Sequence, residues 1–246
     1  MNTTPSPAAP AVTDPPAVSS RFSTPAPISA LLLVPAGRIE VLASDRADTT
    51  VEVRAVDRVK KRDVKAAQQT VVEYTDGVLR IEVPTGVQLM GPSGSVMVSI
   101  RLPSGSHVDA KVDSTDLRCA GRLQTVTFDG ALGTIELEEA AGARVTSAVG
   151  DVTVGRLAGD AHVSTAQGDI RIDEAVRGRL ILRTQVGSVS VAAPAGVSVS
   201  LDAGTTVGRI RNALENTGGT PAVIIRATTV KGDITARSIR KERSGS

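Results

Sequence analysis

The sequence predicts an all-β protein: a parallel β-solenoid (β-helix) of about seven coils behind a β-rich N-terminal cap. Three observations predict it. Residues 121–191 repeat one pattern in four rows, GRLQTVTFDGALGTIELEEA, AGARVTSAVGDVTVGRLA, GDAHVSTAQGDIRIDEAVR and GRLILRTQVGSVSVAA. The glycines Gly133, Gly150, Gly168 and Gly187 fall 17, 18 and 19 residues apart, a period that points to stacked coils. Aromatics are nearly absent, with Phe22, Tyr74 and Phe128 alone and no Trp. A thin interior of Val, Ile, Leu and Ala does without the rings that globular cores lean on.

Within one row the apolar positions alternate as in a strand. Five residues before the glycine stand Phe128, Val145, Val163 and Leu182; two after it stand Ile135, Val152, Ile170 and Val189; four after it, Leu137, Val154, Ile172 and Val191. The step across the glycine is odd, so a straight strand would throw the second set to the wrong side. The chain must turn there, and glycine turns it without steric cost. Small or hydroxylated residues, Gly130, Ser147, Thr165 and Thr184, precede the corner. Runs this short, with no amphipathic helical pattern between them, argue against βαβ units.

In chain order, residues 1–28 are rich in Pro, Ala, Ser and Thr and are expected to form a disordered tail. Residues 29–100 read as strands (LLLVPAGRIEV, TTVEVRAV, TVVEY, GVLRIEVP, SVMVSIRLP) and are expected to cap the solenoid end, because an open end invites aggregation. Within them DRVKKRDVKAAQQ, residues 57–69, is the best helix candidate. A Pro-x-Gly turn recurs at Val34–Gly37, Val83–Gly86, Leu102–Gly105 and Ala193–Gly196, with spacing that suits a type I turn. The solenoid itself spans 101–239. Upstream of the four rows Val108, Ala110 and Val112 lead to Leu117 and Cys119; downstream Gly208 leads to Ile210, and Gly232 to Ile234 and Ala236. Asn212 breaks the apolar rule, so its coil is expected to be distorted or polar inside, and residues 212–221 form an excursion loop. Residues 240–246 are a flexible basic tail.

The stretches LLLVPAGRIEVLASDRADTTVEV, GDVTVGRL, GDIRI and GDITARS resemble the bacterial domain-of-unknown-function family described as "putative adhesin" with β-strand repeats, over roughly residues 29–239. The resemblance implies a β-helical fold, no known enzyme activity, binding at a cell surface and a link to cell-envelope functions.

Candidate chemistry is sparse. Asp151, Asp169 and Asp233 follow corner glycines and make a surface ladder. Stacked carboxylates of this kind bind Ca²⁺ or act as acid and base on a polysaccharide; beside glycine, an aspartate more commonly bonds the turn. Thr134, Ser188 and Arg209 interrupt the ladder. Cys119 with His107 or His162 would make a nucleophile and base, but its register places it inside as a small hydrophobe, and one Cys with two His makes no zinc set. The Ser/Thr row (Ser147, Thr165, Thr184, Thr205, Thr229) reads as a structural column. The basic runs Arg58, Lys60, Lys61, Arg62, Lys65 and Arg237, Arg240, Lys241, Arg243 read as solvated faces. P-loop, dinucleotide and Ser-His-Asp signatures are missing.

Net charge is +2 from 28 basic and 26 acidic residues, a balance unlike that of a dedicated nucleic-acid binder. The single cysteine rules out an intrachain disulfide. With no signal peptide pattern and no run long enough to span a bilayer, the expected location is cytoplasmic. These readings converge on a non-enzymatic interaction protein with no cofactor. Its partner would be a protein, a peptide or an anionic surface, not a nucleic acid. Two alternatives stand beside it: a structural scaffold that self-associates through solenoid ends, and a polysaccharide-acting enzyme using Asp151 and Asp169.

Overall fold

A computed structural model describes residues 17–84, 94–216 and 218–240. The chain is all-β, and its one described helix is short. The middle of the molecule is a parallel ladder built from β8 (His107–Leu132), β9 (Ile135–Val149), β10 (Val152–Leu157), β11 (Ala161–Gln167), β12 (Ile170–Ala175), β13 (Gly178–Val186) and β14 (Val189–Pro194). Leu117 lies on Ile135, Ile135 on Val152, Val152 on Ile170, and Ile170 on Val189. Before the corner, Phe128 lies on Val145, Val145 on Val163, and Val163 on Leu182. All of these side chains are buried. Each fully buried aliphatic contributes about 1.5–3 kcal/mol, so every turn of the ladder supplies the lid for the previous one.

The corner explains the glycine period. Gly150 has φ +150° and Gly168 +144°. A Cβ on Gly150 would sit 1.9 Å from the carbonyl oxygen of Gly133, and one on Gly168 2.1 Å from that of Gly150. Successive turns therefore touch through backbone alone. The hydroxyl column braces the same corner: Thr184 Oγ1 donates to the Gly168 carbonyl at 3.0 Å and Thr229 Oγ1 to that of Gly187 at 2.9 Å.

The N-terminal region joins this ladder directly. β2 (Ser29–Leu33) and β3 (Ala36–Ser44) run parallel to β8, with Ala30 on Val108 and Ile39 on Leu117. β6 (Val78–Glu82) and β7 (Val96–Pro103) lie outside β2 and β3, again parallel. Antiparallel strands finish this end: β4 (Asp48–Ala55) on β7, β1 (Val18–Ser23) on β4, and β5 (Val71–Thr75) on β6. Phe22 of β1 meets Tyr74 of β5 with ring centroids 5.4 Å apart. β1 falls inside the stretch read as a tail; its residues alternate exposed and half-buried as they pair with β4. Residues 1–16 of that stretch, and 241–246 of the basic tail, lie outside the described residues. The expected helix is α1 (Lys61–Gln69), anchored by buried Asp63, whose Oδ1 accepts the Ser95 N–H at 3.0 Å.

At the other end chain order and spatial order part. β17 (Val223–Lys231) and β18 (Ile234–Ile239) pair with β13 and β14 on one side. On the other side they pair with β15 (Val199–Val207) and β16 (Ile210–Ala213). The chain's last winding is thus inserted beneath the preceding one. Composition gives the reason: the inserted winding buries Ile225, Ala227, Ile234 and Ala236, whereas Ile210 is 47% exposed and Asn212 is exposed. The winding with the polar interior takes the end, where it lacks a lid. The proline turns also differ from expectation. At residues 194–197 the Val197 N–H donates to the Pro194 carbonyl at 3.1 Å, with Gly196 at φ +88°. Glycine thus stands third in the turn, as type II requires. The turn at Val83–Gly86 lies partly outside the described residues.

Candidate functional site

The aspartates after the corner glycines turn their carboxylates onto the next winding. Asp151 Oδ1 accepts the Asp169 N–H at 2.8 Å, Asp169 Oδ1 accepts the Ser188 N–H at 2.7 Å, and Asp233 Oδ1 accepts the Arg209 N–H at 2.9 Å. Asp116 does the same for Thr134 at 3.0 Å, a member of the column that the glycine register hides because Thr115 stands where the other rows have glycine. The column therefore runs Asp116, Thr134, Asp151, Asp169, Ser188, Asp233, Arg209. Inserting the last winding places Asp233 beside Ser188, with the Asp233 N–H 3.4 Å from Ser188 Oγ. One oxygen of each carboxylate is committed to backbone at the corner, as in a capped turn.

The catalytic pairings considered from sequence do not meet. Cys119 is buried and burial pushes its thiol up to about 12, the wrong direction for a nucleophile. His107 and His162 are exposed and face out of the ladder. Among the described residues no three His, Cys, Asp or Glu side chains converge as metal ligands. On the insert, Lys60 Nζ pairs with Asp57 at 3.1 Å and Arg62 Nε with Asp63 at 3.5 Å; Val59 N–H and Lys60 hold the Asp57 carboxyl below the usual carboxylate range. Arg240 lies 3.7 Å from Glu215.

What the sequence reading missed is a cluster of cations on one outer face. After the corner several outward arginines pair with acids: Arg118 with Glu136 at 3.6 Å, Arg156 with Glu139 at 3.7 Å and with Glu174, and Arg171 with Asp173 at 2.6 Å. Before the corner Arg226 pairs with Asp202 at 2.9 Å, but a group of arginines on the neighbouring windings forms no such pair among the described residues. Arg144 lies beside His162 in register, and His162 beside Ile181 of the next winding, with Arg179 and Arg183 two residues to either side. All four polar side chains are exposed, and among the described residues Arg144, Arg179 and Arg183 make no ion pair. Adjacent strands are about 4.8 Å apart and diagonal neighbours about 7–8 Å, so these cations share one patch. Gly142, Thr125, Gln124, Ala161 and Asp160 complete a shallow depression of about 400 Å³ around Arg144, His162 and Arg179. The Asp160 carboxylate accepts the Arg179 backbone N–H at 2.8 Å. Alternation was the available signal: Arg144, His162, Arg179 and Arg183 all occupy outward positions of the repeat.

Residues 34–244 match the family described as Toastrack DUF4097. Solved structures similar to the chain are distant ones. A structure described as a "putative adhesin" from Bacteroides fragilis is 14% identical, with TM-score 0.42, over 90% of this chain and 96% of that one. A second so described, from Parabacteroides distasonis, is 16% identical, with TM-score 0.42, over 89% and 96%. A "putative lipid binding protein" from Parabacteroides distasonis is 12% identical, with TM-score 0.43, over 92% and 98%. No curated protein matches the chain. Among the described residues no helix is long and apolar enough to cross a membrane.

Proposed function

This chain belongs to the Toastrack DUF4097 family, and on that premise we propose that it is a non-enzymatic interaction protein of the adhesin type, working at the cell envelope. The partner it fits is a protein or peptide bearing acidic side chains. The observation that carries this reading is the patch of Arg144, Arg179 and Arg183 around His162, exposed cations that make no ion pair among the described residues, on one face of the sheet. A net charge of only +2 makes their clustering, and not the total, the recognition element. Guanidinium forks suit bidentate carboxylate pairing. The non-enzymatic reading is supported by the commitment of Asp151 and Asp169 to backbone N–H groups and by the burial of Cys119.

The test is fluorescence anisotropy of a labelled poly-glutamate peptide against the wild type and the triple variant Arg144→Glu, Arg179→Glu, Arg183→Glu. The wild type is expected to bind with an affinity that falls as salt rises, since the Debye length is about 8 Å at physiological ionic strength. The variant is expected to lose at least tenfold. Equal binding by both proteins, or binding indifferent to salt, would sink the assignment.

A further inference from the structure

The two ends of the ladder are finished differently, and the difference points to a second copy of this chain. One end finishes on the antiparallel strands β1 and β5, joined by the Phe22–Tyr74 ring contact. The other ends on the parallel strands β15 and β16, which among the described residues pair with β17 and β18 on one side only. Here Val207 is 61% exposed and Ile210 47%, while Leu201 and Ala203 are only half-buried.

The hydrogen-bonding edge of β15 can be read residue by residue. Ser198 directs its carbonyl to β17, where it accepts the Val223 N–H. Val199 faces the opposite way: its N–H donates to Asn216 Oδ1 at 2.9 Å, and its carbonyl accepts from Asn216 Nδ2 at 2.9 Å. The Asn216 amide thus imitates one residue of a missing strand. By strand alternation Leu201, Ala203 and Thr205 direct their N–H and C=O groups to this same open edge. Three consecutive outward residues with Ala203 at their centre are what a two-fold strand pairing needs.

We propose that two copies join end to end through β15, antiparallel about a two-fold axis at Ala203. This register sets Ala203 opposite Ala203, Leu201 opposite Thr205, and Asp202 opposite Gly204. No charge meets its like: Asp202 is already paired with Arg226 at 2.9 Å, and Gly204 has open space where a Cβ would be. Asn216 holds the pairing to Leu201–Thr205 by occupying Val199. A contact about a two-fold axis is isologous and closes at two copies, whereas head-to-tail stacking would grow a filament. The inference stands apart from the cationic face, which lies on the outside of the sheet.

Sedimentation equilibrium of the full chain over about 1–300 μM, a range that brackets micromolar association, tests it together with Ala203→Pro. Proline removes the outward N–H while leaving the bonds to β17. The wild type is expected to reach twice the 25.3 kDa chain mass as concentration rises, and the variant to stay monomeric with an unchanged circular dichroism spectrum. A wild type monomeric throughout, species that grow beyond two copies, or a folded Ala203→Pro chain that dimerises as well as the wild type each overturn the proposal. If the variant unfolds, hydrogen exchange of the wild type decides. Amides of Leu201, Ala203 and Thr205 should gain at least tenfold protection from the lowest to the highest concentration, and constant protection overturns the pairing.

Discussion

At the scale of the residue, the corner glycines are backbone contacts in disguise. Gly150→Ala would press a methyl group onto the Gly133 carbonyl, 1.9 Å from the ideal Cβ position, in a conformation that L side chains rarely adopt. Left-handed strain and overpacking together cost roughly 2–5 kcal/mol. Thermal unfolding should show a fall on the order of 10 °C, since 1 kcal/mol shifts a chain of this size by about 2–4 °C; a variant within 2 °C of wild type would contradict the contact. Cys119 makes a second residue-scale prediction. Its thiol is raised to about 12 by burial, so folding favours the protonated form. Its contribution to stability is whole below the unfolded value of about 8.5 and is lost as pH rises from there towards 12. Iodoacetamide at pH 8 should leave the folded chain unmodified and label it fully in denaturant; labelling of the folded chain at the denatured rate would place the thiol outside the core. The glycine and cysteine roles were both legible from register alone, because the interior of a thin stack leaves one orientation for every second residue.

At the scale of the element, the aspartate column is a set of cross-winding caps. Asp169→Ala strips the acceptor from the Ser188 N–H. Because the site is exposed, water replaces part of the bond, and the loss is about 1 kcal/mol, read as a drop of about 2–4 °C. Asp169→Asn retains an oxygen in the same place and should lose less than half as much. If the two substitutions were equally damaging, the carboxylate would be acting through its charge and not as a cap. Sequence placed Asp151, Asp169 and Asp233 after their glycines. It did not place Asp116, whose winding has Thr115 at the corner, nor did it show that the partners are backbone N–H groups. The cationic patch was hidden for a related reason: its members come from three windings, and only the register brings Arg144, His162 and Arg179 together. The helix α1 lies within the stretch 57–69 expected to form it, but its hold on the fold, buried Asp63 bonding the Ser95 N–H, is a long-range contact with no local signal.

At the scale of the whole molecule, the stack inserts its last winding. Deleting residues 223–246 removes the only ladder partners of β15 and β16 among the described strands. Hydrogen exchange should then show amides of 199–213 unprotected and those of 189–194 newly labile at a bared edge. Protection of 199–213 in the truncated chain would mean that windings follow chain order after all. Periodicity, composition and the odd step across each glycine were enough to determine an all-β stack with Val152, Ile170 and Val189 inside, because side-chain alternation is a local property of the strand. The spatial order of the windings at both ends, the antiparallel strands that finish one of them, and the convergence of Arg144, His162 and Arg179 were decided only by the tertiary structure. Backbone edges are interchangeable to the sequence; which edge meets which is chosen by how much apolar interior each winding must cover.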